Sequence, residues 1–513
     1  MIFVFHNSKK IIRIEGGNNQ YLINDKTIGE VLFDLAEEFP NKVIVWCLIE
    51  WESFLNRDSI SEIIHHNKMM ISFHPYFSNY INDGIGYIDN GSILIINKEV
   101  SFFTWQMSSV VGAVSAAVLN SIAEKIDSKK EQLDYLLNSI AKIGMPIGLV
   151  CCSEPSLLNT KIHIQKGTSS NNYNLFKFVR QHYSIKWVFV LFLSFLFYEK
   201  KIQLLPLFRS FYFKKIKWNR NIFDTIVIKS NKKVSATNEI DVIIPTIGRA
   251  SYLKDVLFDL RDQTHLPKKV IIVEQNTLPN STSELDFLNK EKWPFSIEHI
   301  FTHQAGACNA RNIALSKVSS EWVFLNDDDN RISNDVIERT LMQCNQYGAE
   351  VVMNNYPMQF EQNDFDKVHQ TTIFGSGCSF VKSSYLNKVC FDSKYEFSYG
   401  EDFDYGMQLR NNGADVIYLP QPSILHLKAP IGGFRIKPVF PWDSDAIRPI
   451  PSPTIMLNYL KYKTKQQILG YKFIFFYNLF IKKVNQNPIV FFRKTNLHWK
   501  ASLNWATKLM RND

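Results

Sequence analysis

Residues 240–419 alternate between short apolar runs and amphipathic stretches, and this alternation constrains the fold more than any other feature of the chain. Strand-like runs fall at 240–245, 270–274, 296–301, 322–325, 350–354 and 415–419. Helical patterns fill the intervals 250–263, 305–318, 334–347 and 401–412. Within 334–347, Val336, Ile337, Leu341 and Cys344 recur at helical spacing and leave Glu338, Arg339 and Gln343 outward. Such alternation implies the α/β class, with a largely parallel sheet covered by helices. In open sheets of that kind ligands bind beyond the carboxyl ends of the strands, so the residues just after each strand are the candidates.

The acidic run Asn326-Asp327-Asp328-Asp329-Asn330 follows the strand-like Trp322-Val-Phe-Leu325 directly. Adjacent carboxylates repel one another, which makes them costly without a cation. An all-oxygen cluster suits Mg²⁺ or Mn²⁺, either of which also neutralises a diphosphate. The structural alternative is a solvated acidic turn that caps the next helix. Three further elements precede the run in order: Asp241-Val-Ile-Ile-Pro245-Thr246, Val270-Ile-Ile-Val-Glu274-Gln-Asn276, and Gly306-Ala-Cys-Asn309-Ala-Arg311-Asn312.

Together these elements resemble a family 2 glycosyltransferase of the GT-A fold, a Rossmann-like nucleotide-sugar-binding α/β domain, over roughly residues 239–430. The resemblance implies that Pro245, Thr246 and Glu274 line the nucleoside pocket and that Asn309, Arg311 and Asn312 approach the nucleotide or diphosphate. It further implies metal ligation by two of Asp327, Asp328 and Asp329, with Asp327 also touching the donor. The register stays open: Asp327 with Asp329 is the preferred pair, since both ends are then carboxylates, and Asn326 with Asp328 is the other. Phe374-Gly-Ser-Gly377-Cys-Ser-Phe380 resembles the family's glycine-containing segment beside the sugar and acceptor, where glycine lets backbone approach a ligand. Tyr399-Gly-Glu401-Asp402-Phe-Asp404 resembles its acidic pair at a helix start, which makes Asp402, with Glu401 beside it, the expected general base of an inverting transfer. Carboxylates also stabilise helix N-termini without any catalytic role. His426 resembles the histidine that several members use as a further ligand of Mn²⁺.

The formal charge of +9 is unevenly placed. Residues 175–220 carry ten Lys/Arg against Glu199 alone, and residues 461–513 carry eleven against Asp513 alone, so the remainder is acidic. No nucleic-acid-binding motif accompanies these segments. Basic stretches rich in Phe, Trp and Leu suit the surface of an anionic bilayer, and such a location suits a lipid-linked or glycan acceptor. The longest apolar run, 187–198, is shorter than the about 20 residues that cross a bilayer as a helix. The N-terminus shows no signal-peptide pattern, and the seven cysteines form no framework, so a cytoplasmic location at the inner face of the membrane is expected.

Four segments follow: an α/β accessory domain at 1–165, a basic aromatic helical region at 166–235, the GT-A domain at 236–450 and a basic amphipathic helical tail at 451–513. In the first, strands are expected at 43–48 and 92–96 and helices at 115–126 and 130–143. Phe103-Thr-Trp-Gln-Met107 and Val111-Gly-Ala-Val-Ser115 resemble the acceptor-side segment of GT-A domains, but no D-x-D element accompanies them. A degenerate transferase-like domain serving assembly or acceptor binding is the expectation, with Glu50, Glu52 and His74 structural. Two other functions compete: a nucleotidyltransferase, whose glycine- and lysine-rich phosphate loop is absent from Thr246-Ile-Gly-Arg249, and an inactive glycan-binding scaffold.

Overall fold

The computed structural model describes residues 1–17, 26–75, 79–91, 95–126, 131–159, 169–361, 365–429, 438–482 and 487–511. The chain forms two compact units: Met1–Lys232 with Lys463–Lys482, and Lys233–Tyr462 with Lys483–Asp513.

The first unit is built on strands β1 (Ile2–His6), β2 (Ile11–Glu15), β3 (Val43–Leu48), β4 (Met69–Phe73), β5 (Phe102–Phe103), β6 (Val111–Ser115) and β7 (Val150–Ser153). They form one sheet in the order β2-β1-β3-β6-β4-β7-β5. β6, with every residue buried, runs antiparallel to both β3 and β4. Alternate residues of β3 feed two cores: Ile44 and Trp46 pack on one face, Val45 and Cys47 on the other. The helical segment after residue 166 belongs to this unit. Helices Asn172–His182 and Lys186–Ser194 bury Leu175, Phe176, Phe178, Val188 and Leu191 in its larger core, where Phe178 stacks on Trp105 at 5.1 Å. Helix Lys465–Ile481 also joins this unit, and its Gln467 donates to the carbonyl of Asp89 at 2.9 Å. The strand expected at 92–96 falls largely outside the described residues, and Ile95 and Ile96 are not in a strand.

The second unit contains β8 (Ile240–Thr246), β9 (Lys269–Gln275), β10 (Ser296–Thr302), β11 (Trp322–Asn326), β12 (Asn330–Arg331), β13 (Val351–Asn355), β14 (His369–Gln370), β15 (Cys378–Lys382), β16 (Ile417–Ser423) and β17 (Leu425–His426). Its main sheet runs β10-β9-β8-β11-β15-β13-β16-β14. The first four strands are parallel. β15 is antiparallel to both neighbours, and β14 is antiparallel to β16. The sheet is therefore mixed. The glycine-containing segment at 374–380 leads into the central strand β15 at Cys378, with Gly375 and Gly377 just before it. Phe380 lies opposite Phe324 with the rings stacked at 4.4 Å, a pair that favours this register.

Helices Ala250–Arg261 and Val336–Tyr347 bury Leu253, Val256 and Leu257, and Val336, Ile337 and Leu341, in the core of the second unit. Helices Pro453–Tyr462 and Pro488–Arg511 belong to the same unit. The stretch 451–513 is thus shared between the two units rather than forming a separate tail.

Candidate active site

Parallel pairing of β8 with β9 and β11 brings their carboxyl ends to one edge of the sheet, beside the start of helix Ala307–Leu315. There they border a cavity of about 590 Å³, within the range usual for small-molecule sites. Its walls include Pro245, Thr246, Arg249, Arg311, Asp327, Asp328, Asp329, Glu401 and His426.

The three aspartates leave β11 in different directions, and each finds its own partners. Asp327 pairs with Arg311 at 2.9 Å and lies 3.2 Å from the Tyr356 hydroxyl. Asp328 accepts from Thr246 at 2.6 Å and from Arg249 at 2.7 Å. Asp329 accepts from the Ala429 N–H at 2.9 Å and from Arg249 at 3.1 Å. Burial pushes the Asp328 carboxyl up to about 6, against the opposing pull of Arg249 and Thr246. Burial also works against ionisation of Asp329, but His426, the Ala429 N–H and Arg249 outweigh it and hold its pKa below the ordinary value.

A two-stranded ladder delivers His426: β12 pairs antiparallel with β17, setting Asn330 opposite His426. Its Nε2 stands 3.6 Å from Asp329 Oδ1, and the imidazole stacks on Tyr356 at 4.7 Å. The adjacent Asp329 raises its pKa. The candidate metal ligands Asp327, Asp328, Asp329 and His426 are nonetheless not assembled as a set. Among the described residues no group of three His, Cys, Asp or Glu side chains is placed to hold an ion. Arg311 and Arg249 pair with the acids, and His426 approaches Asp329.

Glu401 lines the cavity, whereas Asp402 lies beside it against Ser376. Asp402 Oδ1 is buried without a hydrogen-bond partner. Burial raises the pKa of Asp402, and both Ser376 and Arg311 oppose the rise. Burial and the charge of Asp402 raise that of Glu401. The following acid, Asp404, is buried against Tyr462, Lys461 and Gln408 and serves packing.

Other expected residues take supporting positions. Glu274 accepts from the Glu284 N–H at 2.8 Å and meets His299 at 2.9 Å, which secures the chain after β9; Gln275 and Asn276 line the cavity in its place. Asn312 makes a two-way bond with the Phe391 backbone, 2.8 Å each way, and is not on the cavity wall. Nor is Asn309, whose Nδ2 is buried without a partner. Gly377 is required by Asp327: a Cβ there would stand 2.2 Å from Asp327 Oδ2 and 2.9 Å from the Tyr356 hydroxyl.

Sequence reasoning missed Arg249, Tyr356 and Glu396. The first two follow strands β8 and β13, so the strand-end rule could have found them. Glu396 caps helix Ala307–Leu315, accepting from the N–H groups of Cys308 at 3.1 Å and Asn309 at 3.0 Å, and nothing local marks it.

The glycosyl transferase family 2 model matches residues 241–405. That segment is a family 2 glycosyltransferase domain. Two Streptococcus pneumoniae proteins are similar to part of this chain. Glycosyltransferase GlyA is 26% identical over 161 residues, which is 31% of this chain and 22% of that protein. Glycosyltransferase GlyG is 24% identical over 125 residues, 24% of this chain and 41% of that protein. The matches thus span less than half of either relative. Among solved structures, S. aureus TarS in complex with UDP-GlcNAc aligns at 20% identity over 40% of this chain and 63% of its own, with a TM-score of 0.33. GalNAc-T7 with UDP, GalNAc and Mn²⁺ aligns at 9% identity over 37% and 44%, with a TM-score of 0.31.

Gly377→Ala should preserve the fold but displace Asp327 from Arg311. Nucleotide affinity, measured by calorimetry, should fall at least about tenfold, or ~1.4 kcal/mol; unchanged affinity would contradict the placement of Asp327.

Proposed function

We propose that the chain is an inverting glycosyltransferase that moves a sugar from a nucleotide-activated donor to a glycan or lipid-linked acceptor during surface polysaccharide synthesis. The observation that carries this reading is the cavity in which Thr246, Arg249, Arg311, the aspartates of the acidic run and Glu401 meet within the family 2 segment.

The transfer is a single displacement at the anomeric carbon. The acceptor oxygen bonds to that carbon as the bond to the diphosphate oxygen breaks, and the nucleotide diphosphate departs with the bonding pair. Asp402 takes the acceptor proton: its Oδ1 has no other partner, and Ser376 fixes its other side. Arg249 and Arg311 supply positive charge at the diphosphate, where fixed charges in a water-poor site are most effective. Dependence on Mn²⁺ or Mg²⁺ enters the proposal on donor chemistry alone, since Asp327, Asp329 and His426 offer oxygen and imidazole donors on the cavity wall. A bound ion would act as a Lewis acid on the departing diphosphate.

An exposed apolar and basic surface supports a peripheral membrane location. No helix among the described residues is long and apolar enough to cross a membrane. In the first unit, Ile202, Leu205, Phe208 and Tyr212 are 60–89% exposed beside Lys200, Lys201, Arg209, Lys214 and Lys215. Near an anionic surface each such cation contributes about 1 kcal/mol.

Asp402→Asn should bind donor normally and lose transfer by about 10²–10⁴. In the unmodified chain the rate should rise with pH through a pKa above the ~3.9 of a free aspartate, because burial raises the pKa of the base and only its ionised form accepts the proton. Full activity of the variant would remove Asp402 from the role. The same assay after chelation tests the ion: recovery with Mn²⁺ that His426→Ala lacks supports it, and indifference to Mn²⁺ removes it. For the membrane, the double substitution Leu205→Glu and Phe208→Glu should cut co-sedimentation with phosphatidylglycerol vesicles at least tenfold. Equal sedimentation of both proteins would contradict the proposed surface.

A further inference from the structure

Six strands of the first unit's sheet repeat six of the second in order. In chain order β1, β3, β4, β5, β6 and β7 occupy the places of β8, β11, β13, β14, β15 and β16. Every pairing sense agrees. β1 with β3 is parallel as β8 is with β11, and β4 with β7 is parallel as β13 is with β16. The antiparallel strand lies between the same two neighbours in each, and the edge strand is antiparallel in each.

The register extends this match to single residues. Val111, which opens β6, pairs with Cys47, as Cys378, which opens β15, pairs with Asn326. Val114 then pairs with Met70 as Val381 pairs with Val351. Two residues before these strands stand Ser109 and Ser376. Ser109 gives its N–H and its hydroxyl to Asp134, each at 2.8 Å. Ser376 likewise bonds Asp402 through backbone and side chain. Each aspartate is the second residue of its helix, Leu133–Gly144 in one unit and Glu401–Asn411 in the other. Burial raises the pKa of both.

The donor side is not repeated. In the same register Asp327, Asp328 and Asp329 correspond to Leu48, Ile49 and Glu50, and Gly377 to Val110. Helix Ile28–Glu38, which precedes β3 as the Arg311 helix precedes β11, contains no basic residue. β9 and β10 have no equivalent, because the outer edge of β1 is covered by the antiparallel β2. Glu52, just beyond the altered strand end, is paired with Arg13 and Arg57.

We infer that the first unit is a second copy of the transferase fold that has kept the serine-clamped aspartate of the acceptor side and lost the donor site, so that the chain carries one nucleotide-sugar site and one transfer centre. Asp134 is then a structural tie between β6 and its helix. The inference rests on the proposed function, which gives the donor site its meaning.

Titration of UDP, and separately of GDP and dTDP, into the full unmodified chain tests it without relying on a variant. One nucleotide per chain is expected. Two per chain would overturn the inference and leave the proposed function standing, whereas none with any of the three would overturn both. Asp134→Asn supplies the second arm. It should lower the melting temperature and leave transfer within about twofold of the unmodified rate. A loss of transfer comparable to that of Asp402→Asn, at an unchanged melting temperature, would overturn the inference.

Discussion

Carboxylates at neighbouring positions in a poorly hydrated place repel one another: at an effective dielectric near 20, two unit charges about 5 Å apart cost roughly 3 kcal/mol. The end of β11 bears three in succession, and the second unit is arranged to balance them. Arg249 serves Asp328 and Asp329, Arg311 serves Asp327, and His426 approaches Asp329. These partners come from the β8 end, the helix before β11 and the short strand β17, so satisfying the acids also ties together the segments that wall the cavity.

The antiparallel β15 matters for the same reason. It enters the sheet beside β11, places Gly377 where no side chain can crowd Asp327, and brings Ser376 to Asp402. One strand therefore connects the diphosphate side of the site to the proposed base. A parallel strand at this place would enter from the opposite end of the sheet.

The alternating elements and the acidic run were legible from a local pattern, apolar periodicity and then polar residues at a strand end, whereas Arg311 was singled out by the family resemblance. The family resemblance assigned Glu274 and Asn312 to donor binding, whereas their side chains meet His299 and the Phe391 backbone, an arrangement made by tertiary contacts. β15 was hidden because Gly375-Ser-Gly377 has the composition of a turn, and only burial on both faces makes the following residues a strand. Glu396 reaches its helix from 87 residues away, which no local pattern reveals. In the first unit, the resemblance of 103–107 and 111–115 to an acceptor-side segment was visible, whereas the replacement of acids by Leu48 and Ile49 left no motif at the corresponding strand end.

The two units present one sheet plan with two outcomes: the second holds three acids and their partners at a strand end, and the first holds Leu48 and Ile49 at the first two of those positions and Glu50 at the third while keeping the serine–aspartate clamp. The claim at the centre of this account is that the acid-bearing end performs sugar transfer. The most direct measurement follows nucleotide release from a panel of activated sugars by the full chain and by Asp327→Ala. The account predicts release from at least one donor that Asp327→Ala reduces by about a hundredfold or more; equal release by both proteins, or none from any donor, would contradict it.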